Sequence, residues 1–312
     1  MGVLFIVSAE TAVGKTAIGA GIAVNLLNAG QKVGYLKPQV VDKTLPDGDI
    51  AFMKKVLGLE DLVNAPDLIK GRDTVIAEAL LGKKPSDAAS KDAYGAAKTM
   101  KAKVIAVEAY SGGPSKYTDL YQGFRESLLG VIINKVPASQ LKRVKEEAGK
   151  QFGEAGIKLL GVVPENRALL ALTVAELAAG IQGKILNNAD KGGELVENYL
   201  LGAMVLDSGI DYFSRKNNKA AVIRQDRPDM QLAALETPTN CLVLSGGGEP
   251  PLYNVLGKAQ AKGVPVVTTD TAIPDIVAGI EGALSNARLH QEKKLAKLAE
   301  MVKQNLDMKI FS

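Results

Sequence analysis

The residues best equipped for chemistry lie near the N-terminus, in "SAETAVGKT", Ser8 to Thr16. A phosphate cradle needs small residues, so that backbone N–H groups can converge on phosphate oxygens. It also needs a lysine that reaches the terminal phosphates and a hydroxyl that ligates Mg2+. Thr11, Ala12, Val13 and Gly14 form the loop, Lys15 supplies the cation and Thr16 the hydroxyl. Ala9 stands where the usual pattern opens with glycine. The context completes the pattern, because the apolar run "GVLFIV" precedes the loop and the helix-like "AIGAGIAVNLLNAG" follows it. A helix N-terminus and its dipole would then face the anion. The competing reading is a tight strand-to-helix turn with an exposed lysine.

Mg2+ takes one or two carboxylates together with phosphates and waters. Asp49 in "DGDIAFM", with Asp47 as its near substitute, and Glu108 at the end of "VIAVEA" can approach the edge where parallel strands terminate. Asn134 in "IINKV" offers an amide donor and acceptor to a purine edge. No aspartate follows it in the NKxD manner that favours guanine, which points to ATP. The competing readings are surface-loop carboxylates and a strand-end cap.

These residues need a scaffold. Five short apolar runs, "GVLFIVS", "KVGYLKP", "KVIAVEA", "LLGVIINKV" and "IKLLGVVPE", alternate with helical patterns, which predicts an α/β parallel sheet covered by helices on both faces. Beyond "NNADKGGE" a second, smaller α/β alternation begins. The expected domains are residues 1–188 and 189–285, followed at 286–312 by an amphipathic helix with Leu295, Leu298, Val302 and Leu306 on one face. At 312 residues the chain is long enough for two cores.

Composition narrows the function classes. A net charge of +4 and 4% aromatic residues do not fit a nucleic-acid binder. No apolar run reaches the roughly 20 residues that span a bilayer, and no signal-type leader is visible, so a cytoplasmic protein without membrane association is expected. The single Cys241 makes no internal disulfide and reads as a core residue, and no Cys/His cluster has zinc spacing.

"SAETAVGKT" followed by "GYLKPQ" resembles dethiobiotin synthetase and its relatives, among them the amidating cobyrinate synthases and the N-terminal region of long phosphotransacetylases. The resemblance implies a P-loop NTPase-type sheet, MgATP as cofactor, Lys37 acting with Lys15 at the γ-phosphate, Thr16, Asp49 and Glu108 as Mg2+ ligands, Asn134 at the base, and a homodimer. The chain departs from dethiobiotin synthetase at Ala12 and Val41, where that enzyme has glutamate and serine. It also lacks the cysteine and histidine pair of glutamine-dependent amidation, since His290 falls in a polar terminal stretch.

The second half, through "AAVIRQDRPDMQLAALE", "CLVLSGGGEP" and "KGVPVVTTDTAIPDIVAGI", resembles the DRTGG domain. Asp226 and Arg227 match the head of that motif, and Pro228, Asp229 and Met230 depart from its TGG. Asp226, Ser245 to Gly248 and Thr268 to Thr271 end successive strands and could form one rim for an anion, a small effector or a dimer contact. The acetyl-transfer domain of the long enzymes is not expected here. The leading expectation is a MgATP-binding regulatory protein whose second domain senses an effector or builds the dimer, serving an enzyme of acyl or phosphate metabolism. The alternative is an ATP-dependent ligase that activates a carboxylate.

Overall fold

The computed structural model describes residues 2–37, 48–58, 71–202, 209–247, 250–286 and 292–311. It separates into two compact units, Met1–Asn166 with His290–Ser312, and Arg167–Leu289.

In the first unit β1 (Gly2–Ser8), β2 (Val33–Leu36), β3 (Thr74–Leu80), β4 (Lys103–Ala109), β5 (Leu128–Val136) and β6 (Leu159–Pro164) form one sheet in the order β2-β3-β1-β4-β5-β6. All neighbours run parallel. Strands of this kind are buried on both faces, so their runs are apolar throughout rather than alternating. The loop-bearing β1 sits in the middle, with β3 and β4 on its two sides. The sequence predicts five strands here, and the structure adds β3. Its run "TVIAEAL" carries Glu78, 2% exposed, where a buried central strand ordinarily admits no charge.

Helix α1 (Lys15–Asn28) covers one face, and the C-terminal helix Leu295–Asn305 packs on α1. Gly21 allows the approach, since a Cβ there would meet Val302 Cγ2 at 2.5 Å, and Asn25 Nδ2 donates to the Ala299 carbonyl at 2.8 Å. Leu298, Val302 and Leu306 are buried. The terminal helix is therefore part of the first unit, its apolar face spent on α1. The opposite face of the sheet is packed by Ala93 and Ala97 of α3 (Ala88–Thr99), Tyr121 of α4 (Thr118–Gln122), and Val144 and Phe152 of α5 (Leu141–Glu154), against Phe5, Val7, Val104 and Val131. Between β2 and β3 lies α2 (Gly48–Leu57).

The second unit starts at Arg167, earlier than the sequence boundary at 188/189. Leu172–Thr173 (β7) pairs with Leu195–Val196 (β9). Thr173 caps α6 (Val174–Gly180) in a reciprocal arrangement with Glu176. Leu177, Ala178 and Ile181 then pack on Val222, Val243 and Val267, and β8 (Lys184–Ile185) closes the sheet edge antiparallel to β13 (Val266–Thr269). The paired glycines of "NNADKGGE" mark a turn inside this unit rather than a linker. Its sheet runs β10 (Asn198–Leu201), β11 (Lys219–Arg224), β12 (Thr239–Ser245), β13, β8, the first four parallel. Around it lie α7 (Pro228–Leu235), α8 (Tyr253–Lys262) and α9 (Ile273–Asn286). Cys241 is fully buried in β12, and that burial pushes its thiol up to about 12. No helix of the described residues is long and apolar enough to cross a membrane.

Candidate functional site

The loop after β1 is held open by unusual backbone. Gly14 precedes α1 at φ 91° and Ala12 sits at φ 57°, both left-handed. For alanine that conformation costs roughly 1–2 kcal/mol, and neighbouring groups hold it in place. Lys135, itself left-handed at φ 60°, donates its Nζ to the Ala12 carbonyl at 2.8 Å. Asn134, 8% exposed at the end of β5, donates its Nδ2 to the Val13 carbonyl at 2.9 Å. A Cβ on Gly14 would fall on that same amide nitrogen. Strain stored at a functional site is the pattern expected when the surroundings over-determine a conformation.

With the loop carbonyls turned toward Asn134 and Lys135, the amides are left over. Among the described residues, those of Thr11, Ala12, Val13 and Gly14 donate to no protein acceptor. Four unspent donors ahead of a 14-residue helix form a donor set of the kind that anions take. Lys15 Nζ lies across it, donating to Ser8 Oγ at 2.6 Å, and Ser8 Oγ donates to the Glu10 carbonyl at 2.6 Å.

Thr16 Oγ1 donates to Glu78 Oε2 at 3.0 Å. This carboxylate comes from β3, the strand the sequence reading lacks. Register explains the contact: Glu78 pairs with Ile6 of β1, so both face α1, and Gly19 of α1 would set a Cβ 3.5 Å from Glu78 Oε1. With its proton held by Glu78, the Thr16 hydroxyl keeps lone pairs for a cation. The signal available in the sequence was a lone glutamate inside an apolar run, "TVIAEALLG".

Glu108 is placed differently. Val7 pairs with Ala106, so Glu108 shares the face opposite α1, where it accepts from Ser115 Oγ and lies near the buried Tyr121. Burial raises its pKa. The structure does not bring it to Thr16. It belongs to a polar cluster on the other side of the loop: Glu10 Oε1 accepts from Tyr117 OH at 2.6 Å, and Lys83 Nζ reaches the Ala9 carbonyl at 3.3 Å. The hydrogen bond to Glu10 pushes the Tyr117 hydroxyl up to about 12.

Lys37 leaves the sheet directly after Leu36, which pairs with Ala77, so its backbone stands beside Glu78. Asp49 falls in the first turn of α2. Asp47, Val41 and His290 lie outside the described residues. Asn134 spends one amide hydrogen on the Val13 carbonyl, which leaves its Oδ1 and second N–H uncommitted by that bond.

In the second unit the strand ends do converge. Residues following β11, β12 and β13 surround a cavity of about 630 Å3, with Arg224, Asp226, Ser245, Gly247, Leu252 and Ile273 in its wall. Asp226 does not cap α7 but pairs with Arg224. Arg227 grips Asp229 through two hydrogen bonds of 3.0 and 2.8 Å. Pro228 opens α7, where a missing N–H costs nothing.

Residues 3–112 match the AAA domain family and residues 176–283 the DRTGG domain family. The chain thus combines a dethiobiotin synthetase-like P-loop domain with a DRTGG domain. It is 23% identical to the phosphate acetyltransferase of Pseudomonas putida over 98% of this chain and 51% of that one. It is 24% identical to the phosphate acetyltransferase of Haemophilus influenzae over 78% of this chain and 42% of that one. The chain spans about half the length of these relatives. Among solved structures, the MinD cell division protein of Aquifex aeolicus aligns at 16% identity over 55% of this chain and 84% of that one, with a TM-score of 0.38.

Proposed function

We propose that this chain is a MgATP-binding regulatory protein: the P-loop unit takes the nucleotide, and the DRTGG unit reads a small effector. The observation that carries the reading is the loop itself, with four unspent amides, Lys15 across them and a Thr16 hydroxyl oriented by Glu78. ATP phosphates suit that set, since backbone donors, a helix N-terminus and one lysine offset their charge. Mg2+ would be held by Thr16, with Glu78 beside it as the carboxylate, and would supply charge neutralisation between phosphate oxygens. Lys37, whose backbone stands beside Glu78, would add a second cation.

Calorimetric titration with ATP in Mg2+ tests this. Lys15→Ala should abolish binding, and undiminished affinity in that variant would overturn the reading. The regulated enzyme we place in acyl phosphate metabolism, because both relatives named above are phosphate acetyltransferases. Pairing into a homodimer, which the resemblance to dethiobiotin synthetase implies, completes the proposal, together with the cytoplasmic location expected from the sequence.

A second reading, phosphorylation of a carboxylate acceptor, is favoured by the cluster of Glu10, Lys83, Tyr117, Glu108 and Ser115 on the far side of the loop. ATP turnover that rises only when a carboxylate is added would support it over the regulatory one.

A further inference from the structure

The cavity at the strand ends of the second unit is a built site, and we infer that it takes a nucleoside monophosphate, a ligand different in charge from the one proposed for the loop. The inference rests on the regulatory reading only for its biological meaning. The binding stands on the cavity.

Its volume, about 630 Å3, lies in the middle of the roughly 300–1,000 Å3 usual for small-molecule sites and greatly exceeds what a bare phosphate needs. The wall has a polar end and an apolar end. At the polar end Ser245, 2% exposed, closes β12 with its side chain lining the cavity, and its hydroxyl has no hydrogen-bond partner among the described residues. The hydroxyl is not sealed off from the cavity, so it can donate to or accept from a ligand there. The first turn of α9, a 14-residue helix, faces the same space. Among the described residues the amides of Ala272 and Ile273 donate to no acceptor. One unpartnered hydroxyl and two unspent amides at a helix N-terminus fit one phosphate group. At the rim Gly247 sits at φ 29°, where a Cβ would collide with Asp270.

Charge sets the limit on the ligand. Arg224 and Asp226 in the wall pair with each other, so their formal charges cancel, and the helix contributes only about half a positive charge. A single phosphate of roughly −1.5 to −2 can be accommodated if Arg224, exposed in its pair, turns toward it. A triphosphate chain would bring about twice that charge, and among the described residues of the wall Arg224 is the one cation. The remaining wall, Pro228, Pro250, Leu252 and Ile273, is apolar. It offers a planar base a place to lie, while Asp226 and Gln225 are within the wall to accept from ribose hydroxyls or ring amines.

The test uses the full-length chain carrying Lys15→Ala, so that the loop takes no nucleotide, titrated calorimetrically with AMP, ATP, acetyl phosphate and inorganic phosphate. The expected result is one equivalent of AMP, with ATP and acetyl phosphate each at least about tenfold weaker. Adding Ser245→Ala should weaken AMP about tenfold, the equivalent of one net hydrogen bond. Adding Ala272→Trp at an exposed position of the rim should abolish binding while thermal unfolding stays unchanged.

No binding of any of the four probes would overturn the inference, and would leave the loop assignment standing if the chain with Lys15 intact still binds ATP. AMP binding unaffected by both rim substitutions would place the ligand elsewhere and overturn it too. Acetyl phosphate binding as tightly as AMP would overturn the nucleoside part, because the apolar wall would then be unused.

Discussion

Glu78→Gln separates the two carboxylates that a phosphate loop could employ. The substitution keeps shape and one acceptor oxygen, and removes the charge that holds the Thr16 proton at 3.0 Å. A hydrogen bond to a charged group is worth about 1.5–3 kcal/mol, and partners that orient a metal ligand typically change metal affinity by roughly 10- to 100-fold. The two figures agree, since 1.4 kcal/mol is a factor of ten. ATP affinity measured with Mg2+ and again with EDTA gives a Mg2+-dependent gain for each variant. Glu78→Gln should cut that gain by roughly 10- to 100-fold, while Glu108→Gln, whose carboxylate is engaged by Ser115 on the opposite sheet face, should change it by less than about threefold. A wild-type Mg2+ response in Glu78→Gln together with a lost response in Glu108→Gln would refute the reasoning from register.

Further outcomes are expected. Gly14→Ala forces a side chain into left-handed backbone and onto Asn134 Nδ2, so it should lose nucleotide binding and lower the unfolding midpoint; a variant that binds ATP normally would refute the claimed fit. Val302→Ala empties the contact between the C-terminal helix and α1 and should cost about 2 kcal/mol by denaturant unfolding. Lys219 is fully buried, with Nζ donating to Thr237 Oγ1 and the Pro238 carbonyl, each at 2.8 Å. Burial lowers its pKa to about 8. The unfolded chain therefore binds more protons between pH 8 and the ordinary lysine pKa near 10.5, and stability should rise with pH across that window by up to roughly 3 kcal/mol. Lys219→Met should flatten the slope. Light scattering at micromolar concentration, with and without MgATP, should report a dimer.

Much of the architecture could be read in advance because it follows from local rules. A strand, a small-residue turn ending Gly14-Lys15-Thr16 and a helix occur in the order that phosphate chemistry requires, and the structure keeps them in that order. The convergence of Asp226, Ser245 and the turn after β13 was equally visible, because parallel strands with helical crossovers bring their C-terminal ends to one edge. The domain border was harder. A pair of glycines announces a turn but does not say whether the chain leaves its unit there, and only the pairing of Ile185 with Val267 shows that residues ahead of that turn belong to the second sheet.

The metal carboxylate illustrates a deeper limit. Glu78 and Glu108 look alike in sequence, each a single acid near the end of an apolar run of β-branched residues. What separates them is parity. Side chains alternate along a strand, so shifting a pairing by one residue exchanges the faces. Glu78 stands opposite Ile6, on the face that α1 covers, whereas Ala106 stands opposite Val7 and carries Glu108 to the other side. The register of β1 with its two neighbours is a tertiary fact that neither run contains alone. A carboxylate therefore reaches Thr16 from whichever neighbour holds the even position relative to Ile6, and in this chain that neighbour is the strand whose buried charge had disguised it.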